Sequence, residues 1–241
     1  MRSRLLGARE VAAGTMAFSF ARPPGFEFQA GQNVLVTLVD PPENDAQGPS
    51  RTFTLASAPH EPELMIATRM RDSAFKRVLA GAAPGLPVEI EGPNGVMVLH
   101  EDAARPAVFL AGGIGITPFL SMARDAAQRR LPHRLFLFYG NRRPEDAAFL
   151  DELAALEKAN PRYRLIAAMS EPEKSARPWR GETGFIDRAM LERHLGAALG
   201  GAASPVYYFA GPPAMAMAMQ RTLGAAGVRE DDMRSEEFYG Y

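Results

Sequence analysis

The segment Arg51-Thr52-Phe53-Thr54-Leu55-Ala56-Ser57-Ala58-Pro59 sets one cation, several hydroxyls and one aromatic ring along a few residues. Phe53, Leu55 and Ala58 alternate imperfectly with Thr52, Thr54 and Ser57, as in a half-buried strand. Such groups suit a flavin nucleotide. Arg51 can grip a diphosphate as a charged fork, Phe53 can lie against an isoalloxazine face, and Thr54 can offer a hydroxyl to a ring nitrogen. Taken alone, the segment reads equally well as a core strand carrying a surface arginine.

About one domain later comes Ala111-Gly112-Gly113-Ile114-Gly115-Ile116-Thr117-Pro118. The apolar run Arg105–Ala111 before it suits a parallel strand buried on both faces, and Pro118 opens an amphipathic stretch to Arg130. Strand, glycine turn and helix N-terminus together make a place where backbone approaches a pyrophosphate. The spacing of Gly112, Gly113 and Gly115 is not the G-x-G-x-x-G of the common dehydrogenases. Two dinucleotide-type sites in series suggest electron transfer.

These residues must be held by two kinds of architecture. Strands expected at Leu5–Val11, Met16–Phe20, Gln32–Val39, Arg51–Ser57, Leu64–Met70, Pro87–Glu91 and Val96–Leu99 predict a small closed antiparallel barrel. One helix interrupts them, capped by Asp72 or Ser73 and running to Leu79, and its free amides offer a second anion site opposite Arg51. Beyond Asp102 the rhythm changes. Strands at Val108–Ala111, Arg134–Tyr139, Tyr163–Met169 and Val206–Ala210 alternate with helices at Thr117–Arg130, Asp146–Asn160, Asp187–Leu195 and Pro213–Ala226, which predicts a doubly wound parallel α/β sheet. The expected division is 1–102, a flavin-binding β-barrel, and 103–241, a nucleotide-binding α/β domain.

Together these segments resemble the plant-type ferredoxin-NADP reductase superfamily, whose pattern is R-x-Y-S/T-x-x-S in a flavin barrel, then G-G-x-G-x-x-P, then C-G-P-P-x-M. The third motif stands here as Ala210-Gly211-Pro212-Pro213-Ala214-Met215. Glu91-Gly92-Pro93-Asn94-Gly95 is similar to the family's G-P-x-G at the barrel's end, and the terminal Glu236-Glu237-Phe238-Tyr239-Gly240-Tyr241 is similar to its acidic-aromatic tail. Two positions depart from the pattern: Phe53 replaces the tyrosine and loses its hydroxyl, and Ala210 replaces the cysteine and loses its thiol.

The resemblance implies FAD as cofactor, NADH or NADPH as hydride donor, and a stand-alone reductase without an iron-sulfur domain. It implies catalytic roles for Thr54, Glu236 and Phe238, with Tyr241 a rival to Phe238 for the ring that covers the flavin. The implied cofactor-binding set is Arg51, Thr52, Phe53, Thr54, Ser57, Thr68, Arg69 and Ser73 on the flavin side. On the nucleotide side it is Gly112, Gly113, Gly115, Thr117, Pro118, Ser170, Gly211, Pro212, Pro213 and Met215. Relatives that use NADPH often carry Ser-Arg where Ser170-Glu171 stands, so Glu171 leans toward NADH, while Arg142, Arg177 and Arg180 are cations that can counter it.

A length of 241 residues accommodates two domains, and a formal net charge of −1 supplies no basic excess for nucleic acid. No run approaches the roughly 18 apolar residues of a membrane span. Arg9 and Glu10 interrupt the apolar stretch near the N-terminus before it reaches signal-peptide length, so a cytoplasmic location is expected. The chain has 0 cysteines, so it holds no disulfide, no thiolate zinc and no thiolate-ligated iron-sulfur cluster. No metal is expected, and the 4 histidines are read as exposed and without a role.

Three activities fit. The first is an NAD(P)H-dependent flavoprotein reductase feeding a separate protein acceptor such as ferredoxin or an oxygenase component. The second is a reductase of a small acceptor such as free flavin, a quinone or a ferric chelate. The third is a flavin- or nucleotide-sensing module without turnover.

Overall fold

A computed structural model describes residues 1–196, 198–199 and 203–237. The first sheet contains β1 (Arg2–Ala12), β2 (Thr15–Ala21), β3 (Asn33–Leu38), β4 (Ser50–Thr54), β5 (Glu63–Arg69) and β6 (Pro87–Asn94), in the order β4-β3-β6-β1-β2-β5. Every pairing is antiparallel. Its two ends meet where Leu55 bridges Ile66 and the Ala56 amide donates to Met65 O at 2.7 Å, closing the barrel. Alternate residues Val34, Val36 and Leu38, then Val88 and Ile90, point inward, as period-two patterning requires. Helix α1 (Ala74–Gly81) adds Phe75, Val78 and Leu79 to the same core.

The expected strand Val96–Leu99 is not formed. Instead β6 runs on to pair Asn94 with Asn33, and Gly95, at φ +91°, then turns the chain off the sheet, leaving Val96 89% exposed.

The second sheet is wholly parallel: β7 (Ala107–Gly112), β8 (Leu135–Asn141), β9 (Tyr163–Met169), β10 (Glu182–Thr183), β11 (Val206–Gly211) and β12 (Met233–Glu237), ordered β10-β9-β8-β7-β11-β12. Helices α2 (Thr117–Arg129) and α3 (Leu150–Ala159) cover one face, and α4 (Arg188–Leu195) and α5 (Pro213–Ala225) the other. The strand order reverses between β7 and β11, the point where open α/β sheets form their ligand crevice. The helix expected from Asp146 starts only at Leu150. Phe149 takes a left-handed φ of 61°, and the Asp146 carboxylate is held by Arg143 Nε and Nη2 at 3.0 Å, short of a helix cap.

One of the apolar clusters spans both sheets. Ala56, Met65, Ala67 and Met97 from the barrel side pack with Phe109, Phe119 and Met122. Polar ties cross the seam: Ser121 Oγ donates to Ser57 O at 2.6 Å, and Arg124 Nη1 donates to Ala56 O at 3.0 Å. The connecting segment is pinned by His100, whose Nε2 donates to Arg105 O and whose Nδ1 accepts from Tyr208 Oη. His100 and His133 are therefore buried, contrary to the expectation of exposed imidazoles.

Candidate functional site

The mouth of the barrel carries a charged cradle. Arg51, on β4, turns back on its own loop. Its Nη2 donates to both carboxylate oxygens of Asp45 at 2.9 and 3.1 Å, and its Nη1 donates to the carbonyls of Gln47, Gly48 and Ser50. Asp45 Oδ2 also accepts the Ala74 N–H, the first amide of α1, at 3.0 Å. Ser73 is the residue that caps this helix, its Oγ accepting from the Lys76 amide, whereas Asp72 pairs with Arg77. Burial disfavours the Asp45 carboxylate, yet the hydrogen bonds from Arg51, Gln47 and Ala74 hold its pKa below the usual range. The pKa of Lys76 is lowered as well, by burial and by Arg71 and Arg51 nearby, which disfavours its charged form. An arginine and a helix amide converging on one carboxylate form a place that accepts an anion, so the residues present fit the diphosphate of FAD.

Beside the cradle, Phe53 is half-buried with its ring 5.6 Å from that of Phe75. Thr54 is buried at the end of β4, and its Oγ1 donates to Glu236 Oε2 across 3.4 Å. Asn33 Nδ2 donates to the other oxygen, Glu236 Oε1, at 3.3 Å. Burial raises the Glu236 carboxyl above its ordinary value, and these two long hydrogen bonds only partly offset it. Asn33, unmarked by any sequence pattern, is thus brought to the same group as Thr54 and Glu236.

A cavity of about 550 Å³ opens at the switch point. Gly112, Gly113, Ser170, Pro212 and Met215 line it, as do Arg69, Arg71, Asn141, Arg142 and Phe185. Both polar ends of the Asn141 side chain are buried without a partner among the described residues, an arrangement that calls for a polar ligand. The three arginines favour an anionic one. These residues fit a pyridine dinucleotide.

The glycines divide their labour. Gly113, at φ +55°, has open space where a side chain would stand, the nearest atom being Arg69 Nη2 at 3.8 Å. A Cβ on Gly112 would strike Met215 Sδ, and one on Gly115 would strike the Ala210 carbonyl. Gly211 in turn lies against the Gly112 backbone, so Gly112, Gly115 and Gly211 form a seam of backbone on backbone. Gly115 is absent from the cavity wall, as are Gly211, Thr117, Pro118 and Pro213. Thr117 Oγ1 bonds Ile114 O, and Pro118 and Pro213 start α2 and α5.

Other expected residues are placed as follows. Ser57 is fully buried, its Oγ accepting the Met65 amide at 2.9 Å, and it serves barrel closure and the seam. Thr68 is buried with its hydroxyl on Arg69 O, and Thr52 is exposed. Glu171 stands off the wall, bound to Lys174 at 3.1 Å. Phe238 and Tyr241 lie outside the described residues. Among the described residues no cluster of three His, Asp or Glu could hold a metal, and no helix is long and apolar enough to cross a membrane.

The family model described as "Oxidoreductase NAD-binding domain" matches residues 109–221. The chain is 29% identical to ferredoxin--NADP reductase B of Sorangium cellulosum over 98% of this chain and 96% of that protein. It is 27% identical to the terephthalate 1,2-dioxygenase reductase component 2 of Comamonas sp., over 88% of this chain but only 60% of that protein. Among solved structures, a ferredoxin NADP+ reductase from Neisseria gonorrhoeae with bound FAD and NADP superposes with a TM-score of 0.79 at 22% identity, covering 98% of each chain.

Proposed function

Because the chain belongs to the ferredoxin-NADP reductase-like family of FAD-containing NAD(P)H oxidoreductases, we propose that it takes hydride from a reduced pyridine nucleotide onto bound FAD. It then passes the electrons to a separate acceptor protein, a ferredoxin or an oxygenase component, with the cytoplasm as its proposed location. One juxtaposition carries this reading. Glu236 lies in register with Ala210, whose carbonyl meets Gly115, so the Thr54–Glu236 pair and the arginine-lined cavity flank the same glycine seam.

When bound, FAD accepts a hydride and gives up electrons one at a time. The chain's own residues supply position and charge. Arg51 and the α1 amides hold the diphosphate, Phe53 flanks the ring system and Thr54 presents its hydroxyl to it. Glu236 Oε2 accepts from Thr54 Oγ1 and keeps its own proton to higher pH than an exposed carboxyl does, placing a proton store beside that hydroxyl. Across the seam, Asn141 and the arginines orient the nucleotide while the apolar walls at Ile114, Ile186 and Met215 exclude water. Electrons cannot leave through thiolate-ligated iron-sulfur centres of this chain, since it has 0 cysteines.

Anaerobic stopped-flow mixing with NADH and NADPH tests the proposal. Bleaching of the bound flavin, followed by reoxidation when ferredoxins or oxygenase components are added, is the expected result. Failure of both nucleotides to bleach it would leave a sensing module, and reoxidation by free flavin, quinone or ferric chelate alone would remove the protein acceptor.

A further inference from the structure

The cradle proposed for the FAD diphosphate is engaged by the chain itself. Arg51 directs Nη2 to the two oxygens of Asp45 and Nη1 to three carbonyls, which leaves only Nε–H without an acceptor among the described residues. The first amide of α1 is spent on the same carboxylate. A guanidinium so committed has no fork to offer, and a second anion placed on that edge would face the first at hydrogen-bonding distance, where like charges repel. The segment that delivers Asp45 joins β3 to β4 and reads Asp40-Pro41-Pro42-Glu43-Asn44-Asp45-Ala46-Gln47-Gly48. It is tied down again where Glu43 accepts from Arg77 of α1 at 2.7 and 3.1 Å. Left-handed residues stand at its two ends, Asp40 at φ +44° and Gly48 at φ +74°.

We propose that Asp45 is an internal competitor for the flavin diphosphate, so that FAD binds by exchanging with this carboxylate and Asp45 sets how tightly the cofactor is retained. The inference rests on the reading of Arg51 and α1 as the diphosphate site. Two consequences have opposite signs. Without flavin, Asp45 neutralises Arg51 and satisfies the Ala74 amide, so it stabilises the fold. With flavin, the same contacts must be given up, so Asp45 weakens retention.

The test compares Asp45→Asn and Asp45→Ala with the parent, each as purified holoprotein and after flavin removal, by titration with FAD and with riboflavin, which carries no phosphate. Both variants are expected to bind FAD about 5-fold more tightly, the upper range of a partly exposed ion pair, with riboflavin affinity unchanged and the Tm of the flavin-depleted protein lowered. Equal or weaker FAD binding would overturn the proposal and make Asp45 a support that orients Arg51. Equal strengthening of FAD and riboflavin would also overturn it, pointing to a general loosening of the loop. Arg51→Ala separates the two readings. If it keeps FAD as well as the parent does, the diphosphate site itself is misplaced; if it loses FAD while the Asp45 variants behave like the parent, only the competition fails.

Discussion

The two anion-binding places of this molecule differ in how their polar groups are spent. At the barrel mouth Arg51 is almost fully engaged by its own loop, and the adjacent helix amide is engaged with it. At the switch point they are less engaged: neither polar atom of the Asn141 side chain has a hydrogen-bond partner among the described residues, and Gly113 faces space. A saturated site binds by exchange, so its ligand must outcompete internal bonds and is held less tightly by the cost of displacing them. An open site binds by addition, with no internal bond to displace. Removing the internal partner should therefore strengthen binding at the first site and has no counterpart at the second.

The largest effect that would break the comparison comes from Arg51. Replacement by alanine removes a charge-assisted hydrogen-bond donor to the diphosphate, and FAD retention is expected to weaken by roughly 1.5–3 kcal/mol while the fold persists. Flavin content after gel filtration, with circular dichroism as the control for folding, measures it. A variant that stays fully yellow would place the resident anion elsewhere. Next comes Gly115→Ala. Its methyl group has only the Ala210 backbone to move against, so a loss of about 1–3 kcal/mol in stability is expected, whereas Gly113→Ala meets open space, costs the fold about 1 kcal/mol for its left-handed φ and in addition obstructs nucleotide binding. Thermal melts together with nucleotide titration of the two variants separate packing from ligand approach.

The same contrast explains what the sequence reveals. The barrel and the parallel sheet are written in local patterns: period-two alternation in β3 and β6, and a fully apolar β7. β12 escapes notice because Met-Arg-Ser-Glu-Glu has no apolar run, and it earns its place by pairing with β11. β10, two residues long, escapes for want of length. Within the sites, the motif residues Thr54, Glu236 and Ser170 are legible as letters; the structure sets Thr54 beside Glu236 and Ser170 on the cavity wall. Asn33, Asn141 and Asp45 do not announce themselves, because their importance is a matter of which partner they have or lack, and that is decided by residues far along the chain. Glycines mislead for a related reason. The letters are identical, yet Gly113 faces the cavity and Gly115 faces a carbonyl.

Glu236 sharpens the comparison by its proton. Its folded-state pKa is raised by burial, so the folded chain holds this proton more tightly than the unfolded chain does. Stability from this group is therefore present at low pH and is lost as pH rises from the ordinary carboxylate value through the raised one. Glu236→Gln keeps the shape and removes that loss, so the variant is expected to melt above the parent at neutral pH, with the difference closing in acid. Its hydride-transfer rate should lose the parent's pH dependence in the same window. A Tm gap independent of pH would mean that the carboxyl is not the titrating group.

The smallest expected effect concerns the choice of nucleotide. Ser170 lines the cavity, and Glu171 follows it with a carboxylate held by Lys174 rather than directed into the cavity. Arg142 stands on the wall, and its approach to Asp146 is loose at 3.8 Å. A 2′-phosphate would meet Arg142 as an attraction and Glu171 as a repulsion already softened by Lys174, so the balance is fine and the effect modest. We expect NADH to be preferred in kcat/KM. Glu171→Arg should move the ratio toward NADPH by about 5-fold, or roughly 1 kcal/mol, the scale of an exposed ion pair. Steady-state kinetics with both nucleotides decides it. An NADPH preference in the parent that Glu171→Arg leaves alone, and that Arg142→Ala abolishes, would show that the open wall itself reads the phosphate and that the carboxylate beyond it plays no part.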